Sequence, residues 1–162
     1  MKFEFEQRFP GDPDSVVEVY LDEGFWSGLS DLSTTRPPTV VDLHRSGDRA
    51  EVRLHWTLSV ELPREAARFI DPDDVAWLEV TTWDLRTQTA SVAFEPDQAA
   101  GLLKASATAA VTPTETGAVR VVHGDLRVRI PLLGHKVEPA IVEGVGDHLE
   151  EEASAVAARL DG

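Results

Sequence analysis

From Leu133 to Leu160, apolar side chains return at every third or fourth position. Val137, Ile141, Val145, Leu149, Ala153, Val156 and Leu160 carry the pattern. This spacing predicts one amphipathic α-helix, with Glu138, Asp147, Glu150 and Glu151 turned to water. The stripe would run roughly 33 Å, about the width of a small domain. Most of the chain before it alternates apolar and polar positions, the signature of strands with one dry face. A helix with an apolar stripe needs a surface to cover, and a sheet with an apolar face needs a cover. The pattern therefore predicts a curved antiparallel sheet closed by the C-terminal helix.

At the N-terminus, Phe3, Phe5 and Phe9 fall on one parity, with Lys2, Glu4, Glu6 and Arg8 on the other. That predicts a half-buried strand ending at Pro10. Asp12 suits an N-cap and Pro13 the first helical position, so a short helix carrying Val16, Val17, Tyr20 and Leu21 should follow. Gly24 is expected to break it, and Phe25 to Leu32 to form a second short helix. Pro37 and Pro38 end the pair.

The strands then follow in series. A weak one begins at Val41 and Leu43 and turns at Ser46-Gly47-Asp48. The clearest places Val52, Leu54, Trp56, Leu58, Val60 and Leu62 on one face, with Glu51, Arg53, His55, Thr57, Ser59 and Glu61 on the other. Such alternation marks an antiparallel sheet wet on one side. Glu65 to Ile70 reads as one or two helical turns. Val75 to Leu85 is a strand with no obvious inward face: Trp77 and Trp83 share one parity, Leu78 and Val80 the other. Thr89 to Glu95 aligns Ala90, Val92 and Phe94. Lys104 to Thr112 is a strand of small residues, with Ala105, Ala107, Ala109 and Val111 on one side. In the last strand the apolar parity shifts from Val119 and Val121 to Leu126, Val128 and Ile130, which predicts a β-bulge at Gly124. Strands grouped together and helices segregated to one face define an α+β domain.

Composition narrows the function. The 162 residues suit one domain, 1–162, with a sizeable core. The net charge of −14 argues against nucleic acid and against anionic membrane surfaces. Its simplest role is solubility. The absence of cysteine removes disulfides, thiolate chemistry and cysteine zinc sites, and fits a reducing cytoplasm. The first residues lack the apolar core of a signal peptide, and no run is long enough to span a bilayer. No P-loop, GxGxxG or nucleophile elbow occurs, so no cofactor and no metal are expected. Nothing in the pattern speaks to oligomeric state. The small residues of the alanine strand, with Ala140, Gly144 and Gly146 on the helix, leave either close packing or a cavity.

Pro13-Asp14-Ser15-Val16-Val17, Asp22 and Phe25-Trp26 resemble the opening of START-like, or Bet v 1-like, helix-grip proteins, the superfamily of polyketide cyclases/dehydrases and lipid carriers. Pro131-Leu132-Leu133-Gly134 is similar to one bacterial branch of that superfamily with no assigned activity. The resemblance covers the chain by element order and carries over no catalytic residue. It implies a seven-stranded curved antiparallel sheet gripping the last helix, two short helices after the first strand, and an apolar tunnel between sheet and helix.

Within that frame the residues expected to face a ligand are Phe5, Trp56, Trp83, Phe94, Ala107, Ile141, Gly144, Val145 and His148, with Trp77 a further wall candidate. His148, at the edge of the helical stripe and one turn before Glu152, is the one histidine suited to acid–base chemistry, with Glu152 or Asp84 in support. Its plain alternative is a boundary histidine in a helical pair. His55 falls on the wet parity, His44 and His135 lie near turns, and His123 sits at the expected bulge. Phe69 and Ile70 could form a lid. Three functions compete: a binder or carrier of a small hydrophobic molecule (a lipid, polyketide or isoprenoid), a cyclase or dehydratase using His148, and an interaction module whose acidic face, Glu138 through Glu152, meets a basic partner.

Overall fold

A computed structural model describes residues 1–61, 64–68, 71, 75–97 and 101–162. Seven strands form one sheet: β1 (Lys2–Phe9), β2 (Thr39–Ser46), β3 (Arg49–Thr57), β4 (Ala76–Asp84), β5 (Thr89–Pro96), β6 (Leu103–Pro113) and β7 (Ala118–Val128). Their order is β1-β7-β6-β5-β4-β3-β2, every neighbouring pair antiparallel. Helices α1 (Pro13–Tyr20) and α2 (Glu23–Gly28) follow β1, a single turn α3 (Arg64–Ala67) follows β3, and α4 (Gly134–Asp161) ends the chain. This is the α+β arrangement that the hydrophobic pattern and the resemblance imply. Among the described residues no helix is long and apolar enough to cross a membrane.

Local chemistry accounts for the short helices. The Asp12 carboxylate accepts the Ser15 N–H at 2.8 Å, and Pro13 opens α1 without losing a donor. Asp22 caps α2 in the same way, accepting the Gly24 N–H at 2.8 Å. Gly24 therefore lies inside the second helix, and the break falls at Leu21 and Asp22. The second helix also stops at Gly28, short of Leu32.

Four other expectations are corrected. The register of β2 shifts between Val40 and Asp42, which turns Val41 outward, 55% exposed, and leaves Val40 and Leu43 to pack inward. The third strand ends at Thr57, and Leu58 continues only as an isolated bridge to Thr35. Leu62, Phe69 and Ile70 lie outside the described residues. No bulge occurs at Gly124: β7 pairs with β1 and β6 in unbroken register. Its inward parity runs Ala118, Arg120, Val122, Gly124, Leu126 and Val128, and the apparent switch arose because a buried arginine stands where an apolar residue was expected. Gly124 instead admits the Phe3 ring, since a Cβ there would lie 2.1 Å from Phe3 Cζ. Lastly, Glu138 and Glu151 are not simply turned to water. Glu138 accepts the Val128 N–H at 3.0 Å, and Glu151 accepts from the N–H and hydroxyl of Ser33.

The 28 residues of α4 extend about 42 Å, and the helix is pinned towards both ends. Val137 and Val142 pack with Leu126, Val128 and Ile130. Ala153 and Val156 join a larger cluster with Phe9, Val16, Tyr20, Trp26 and Trp56. Between these anchors Ile141, Val145 and Leu149 are only partly buried. Opposite them the sheet offers Ala105, Ala107 and Ala109, whose methyl groups do not reach across.

Two glycines of α4 test this packing with opposite signs. A Cβ at Gly146 would come within 2.6 Å of the Phe5 ring, whereas one at Gly144 meets nothing within 4 Å. Gly146→Ala should destabilise the fold by about 1–3 kcal/mol through overpacking. Gly144→Ala should stabilise it by about 0.5–1 kcal/mol through helix propensity. Denaturant unfolding of the two variants measures both.

Candidate functional site

The space under the middle of α4 is a cavity of about 610 Å³. The pleat decides what reaches it. On β4 the inward residues are Trp77, Glu79, Thr81 and Trp83, which resolves the parity the sequence left open, and β5 adds Val92 and Phe94. The small strand adds Ala105 and Ala107, and the helix adds Ile141, Gly144, Val145 and His148. Trp83, Phe94, Ala107, Ile141, Gly144, Val145 and His148 stand on the wall, and Trp77 with them. Two residues of the expected set do not. Phe5 packs 5.6 Å from Phe3 and fills the notch at Gly146, so it is Phe3 that reaches the wall. Trp56 is fully buried behind the wall, edge-on to His148 with ring centroids 4.7 Å apart.

A polar network closes one side of the cavity, and most of it escaped the sequence pattern. Arg120 on β7 is 5% exposed. Its Nε–H donates to Gln7 Oε1 of β1 at 2.9 Å and its Nη1 donates to Glu152 Oε1 of α4 at 2.8 Å. The guanidinium also lies 4.7 Å from the centre of the Tyr20 ring, a cation–π stack. The second Glu152 oxygen faces His148 Nε2 at 3.7 Å, an i,i+4 approach wider than a hydrogen bond. Gln7 and Arg120 each occupy an inward position on a strand, and Glu79 sits between two inward tryptophans. That polar interruption of an apolar parity was the available signal.

Burial shapes the proton affinities. It lowers the pKa of His148 below the ordinary imidazole value, despite the nearby Glu152 and Glu151 charges, so the ring is neutral near neutral pH. Burial raises Tyr20 well above the phenol range, with the Glu152 and Glu79 charges reinforcing it and Arg120 opposing. Glu79 is pushed up to about 8, first by burial and then by the Glu152 charge, against the pull of Arg120. Its solvent contact is with the cavity it lines. Arg120 cannot neutralise both carboxyls; it pairs with Glu152, and Glu79 keeps its proton. Around this network several buried polar atoms have no hydrogen-bond partner among the described residues, including Arg120 Nη2, His148 Nδ1, Trp77 Nε1 and the Thr34 and Thr35 hydroxyls.

The other candidates lie elsewhere. Asp84 is on the outward parity of β4, where it accepts the Arg86 N–H at 3.0 Å, so it does not support His148. His44, His55 and His123 approach Asp42, Asp97 and Glu4 at 2.9, 2.7 and 3.2 Å on exposed surface, and His135 is exposed. Of the acidic face, Glu138, Glu151 and Glu152 are engaged within the chain. Among the described residues no three of His, Asp and Glu group so as to hold a metal ion.

A family model described as "Protein of unknown function (DUF2505)" matches residues 4–160. No curated protein matches the chain. Solved structures with the same fold include the Zhui aromatase/cyclase from Streptomyces sp. R1128, 14% identical with a TM-score of 0.67, covering 99% of this chain and 95% of that one. A START superfamily protein from Mycobacterium smegmatis is 12% identical with a TM-score of 0.55, covering 99% and 96%. Norcoclaurine synthase from Thalictrum flavum, in complex with dopamine and hydroxybenzaldehyde, is 20% identical with a TM-score of 0.58, covering 99% and 84%. The fold is that of the START-like and Bet v 1-like proteins.

The buried carboxyl at Glu79 makes stability depend on pH. In the unfolded chain it ionises near the ordinary carboxyl value of 4.5, in the folded one near 8, so between these the native state holds a proton that the unfolded state lacks. Its contribution is therefore lost as pH rises across that window, with a slope of at most about 1.4 kcal/mol per pH unit. Glu79→Gln should flatten that part of the profile and raise stability at its upper end, as read by thermal unfolding across pH.

Proposed function

The chain belongs to the DUF2505 family, whose model spans residues 4–160, and we propose that it binds a small, largely apolar molecule of lipid, polyketide or isoprenoid type in the cavity between sheet and α4. The observation that carries this reading is the cavity itself. Its volume of about 610 Å³ falls in the range of small-molecule sites, and its wall is aromatic and aliphatic with a few convergent polar groups. Side chains of ordinary length at Ala105, Ala107 and Gly144 would fill it and gain packing contacts. The space persists because these positions are small. The norcoclaurine synthase that shares the fold is described with two small aromatic molecules bound, which supports a ligand-taking role here.

A second reading makes the protein an acid–base enzyme. It is favoured by one observation: His148 is neutral, reaches the cavity, and has a carboxylate 3.7 Å from its Nε2. Binding is common to both readings and is tested first.

Native mass spectrometry of freshly purified protein should reveal a co-purifying small molecule, and lipids or polycyclic aromatics should raise the melting temperature. Ala107→Phe should keep the circular dichroism spectrum and abolish both signals. Neither a retained mass nor a thermal shift across the panel would defeat the proposal. A bound molecule whose mass changes during incubation with the protein would favour the enzymatic reading.

A further inference from the structure

Given the cavity as a ligand site, we propose that its polar side, formed by Arg120, Glu152, His148, Glu79 and Trp77, selects a neutral oxygen function, a carbonyl or a hydroxyl, and discriminates against both carboxylate and ammonium groups.

The first argument is the supply of donors. Arg120 Nη2 and Trp77 Nε1 are buried, unpartnered among the described residues, and belong to cavity-lining side chains. Guanidinium and indole nitrogens can only donate, so they call for acceptor oxygens. A plain hydrocarbon in the cavity would leave these groups unsatisfied. A hydroxyl would find one acceptor as well: with the proton on Nε2, facing Glu152, His148 Nδ1 carries a free lone pair.

The second argument is charge. Arg120 is already matched by Glu152 at 2.8 Å. A ligand carboxylate would set a second anion against one guanidinium in a mostly apolar site, and the chain's net charge of −14 adds to the opposition. An ammonium would face Arg120, would use none of the donors, and would find a counter-ion only if Glu79 surrendered its proton. The groups that interact with Glu79 are Arg120 from β7, Glu152 from α4 and Tyr20 from α1, with His148 of α4 on the same wall, and the single cation among them is engaged. Glu61, also on the wall, is exposed. Glu79 has no hydrogen-bond or ion-pair partner among the described residues, and burial holds its proton up to about pH 8, so it acts as one more donor.

The test uses one apolar scaffold with interchangeable groups: naphthalene, acetylnaphthalene, naphthalenemethanol, naphthoate and naphthylmethylamine, titrated by tryptophan fluorescence near neutral pH. The ketone and the alcohol should bind about tenfold or more tightly than naphthalene, with the two charged probes weaker than naphthalene. Ketone affinity should fall above about pH 8 in the native protein and stay level in Glu79→Gln. Trp77→Phe, which removes the indole donor together with part of the ring, should shrink the ratio of ketone to naphthalene affinity, both measured in the same variant. Naphthoate or the amine binding as tightly as the ketone would overturn the proposal. So would naphthalene matching the ketone, although the cavity would then stand as an apolar site. Failure of every probe, with nothing co-purifying, would overturn the cavity reading along with it.

Discussion

One buried ion pair holds the architecture in register. Arg120 reaches from the inner face of β7 to Gln7 on β1 and to Glu152 on α4, so a single guanidinium ties two neighbouring strands to the helix that covers them. Both charges are about 95% buried, and neither could be placed there alone. The geometry needed to pair them fixes which turn of α4 sits over which position of the sheet. Tyr20 stacks on the guanidinium and brings α1 into the same arrangement. Arg159 of α4 pairs with Asp22, the residue that caps α2, at the far end of the helix.

With α4 held at both ends, its middle is free to stand off from the sheet. The anchors are ordinary hydrophobic packing: Val137 and Val142 towards one end, Ala153 and Val156 towards the other. Between them the alanines of β6 and Gly144 of α4 supply too little volume to meet. The cavity is thus a consequence of residue size distributed along two elements whose separation is set elsewhere. Phe3 and Phe5 show the contrast on β1, two strands away. Gly124 and Gly146 remove just enough volume for these rings to seat.

The same pair sets the electrostatics of the cavity. Two carboxyls, Glu79 and Glu152, share one guanidinium on the cavity wall. Glu152 is the one in direct contact with Arg120, and burial holds the proton on Glu79. His148, dehydrated by the same enclosure, stays neutral beside them. A wall rich in aromatic surface therefore carries a polar side that is close to neutral and rich in donors.

The stripe of α4, the Asp12 cap and the alternation of β3 were legible in the sequence because each depends on residues within a few positions of one another. So was the small volume of β6, and with it the choice between close packing and a cavity. The tertiary structure decided that choice, because the gap depends on where Val137, Val142, Ala153 and Val156 hold α4 above the sheet. It also placed Gln7, Glu79 and Arg120 inside. By hydrophobic parity alone, a polar residue reads as facing water, and the apparent bulge at Gly124 came from reading Arg120 that way. What brings such a residue inward is a partner distant in the chain: Gln7 lies 113 residues from Arg120, and Glu152 lies 32. Local pattern determined which elements form and which faces are apolar. Only folding brought those partners within 3 Å of one another, and that proximity lets a charge be buried.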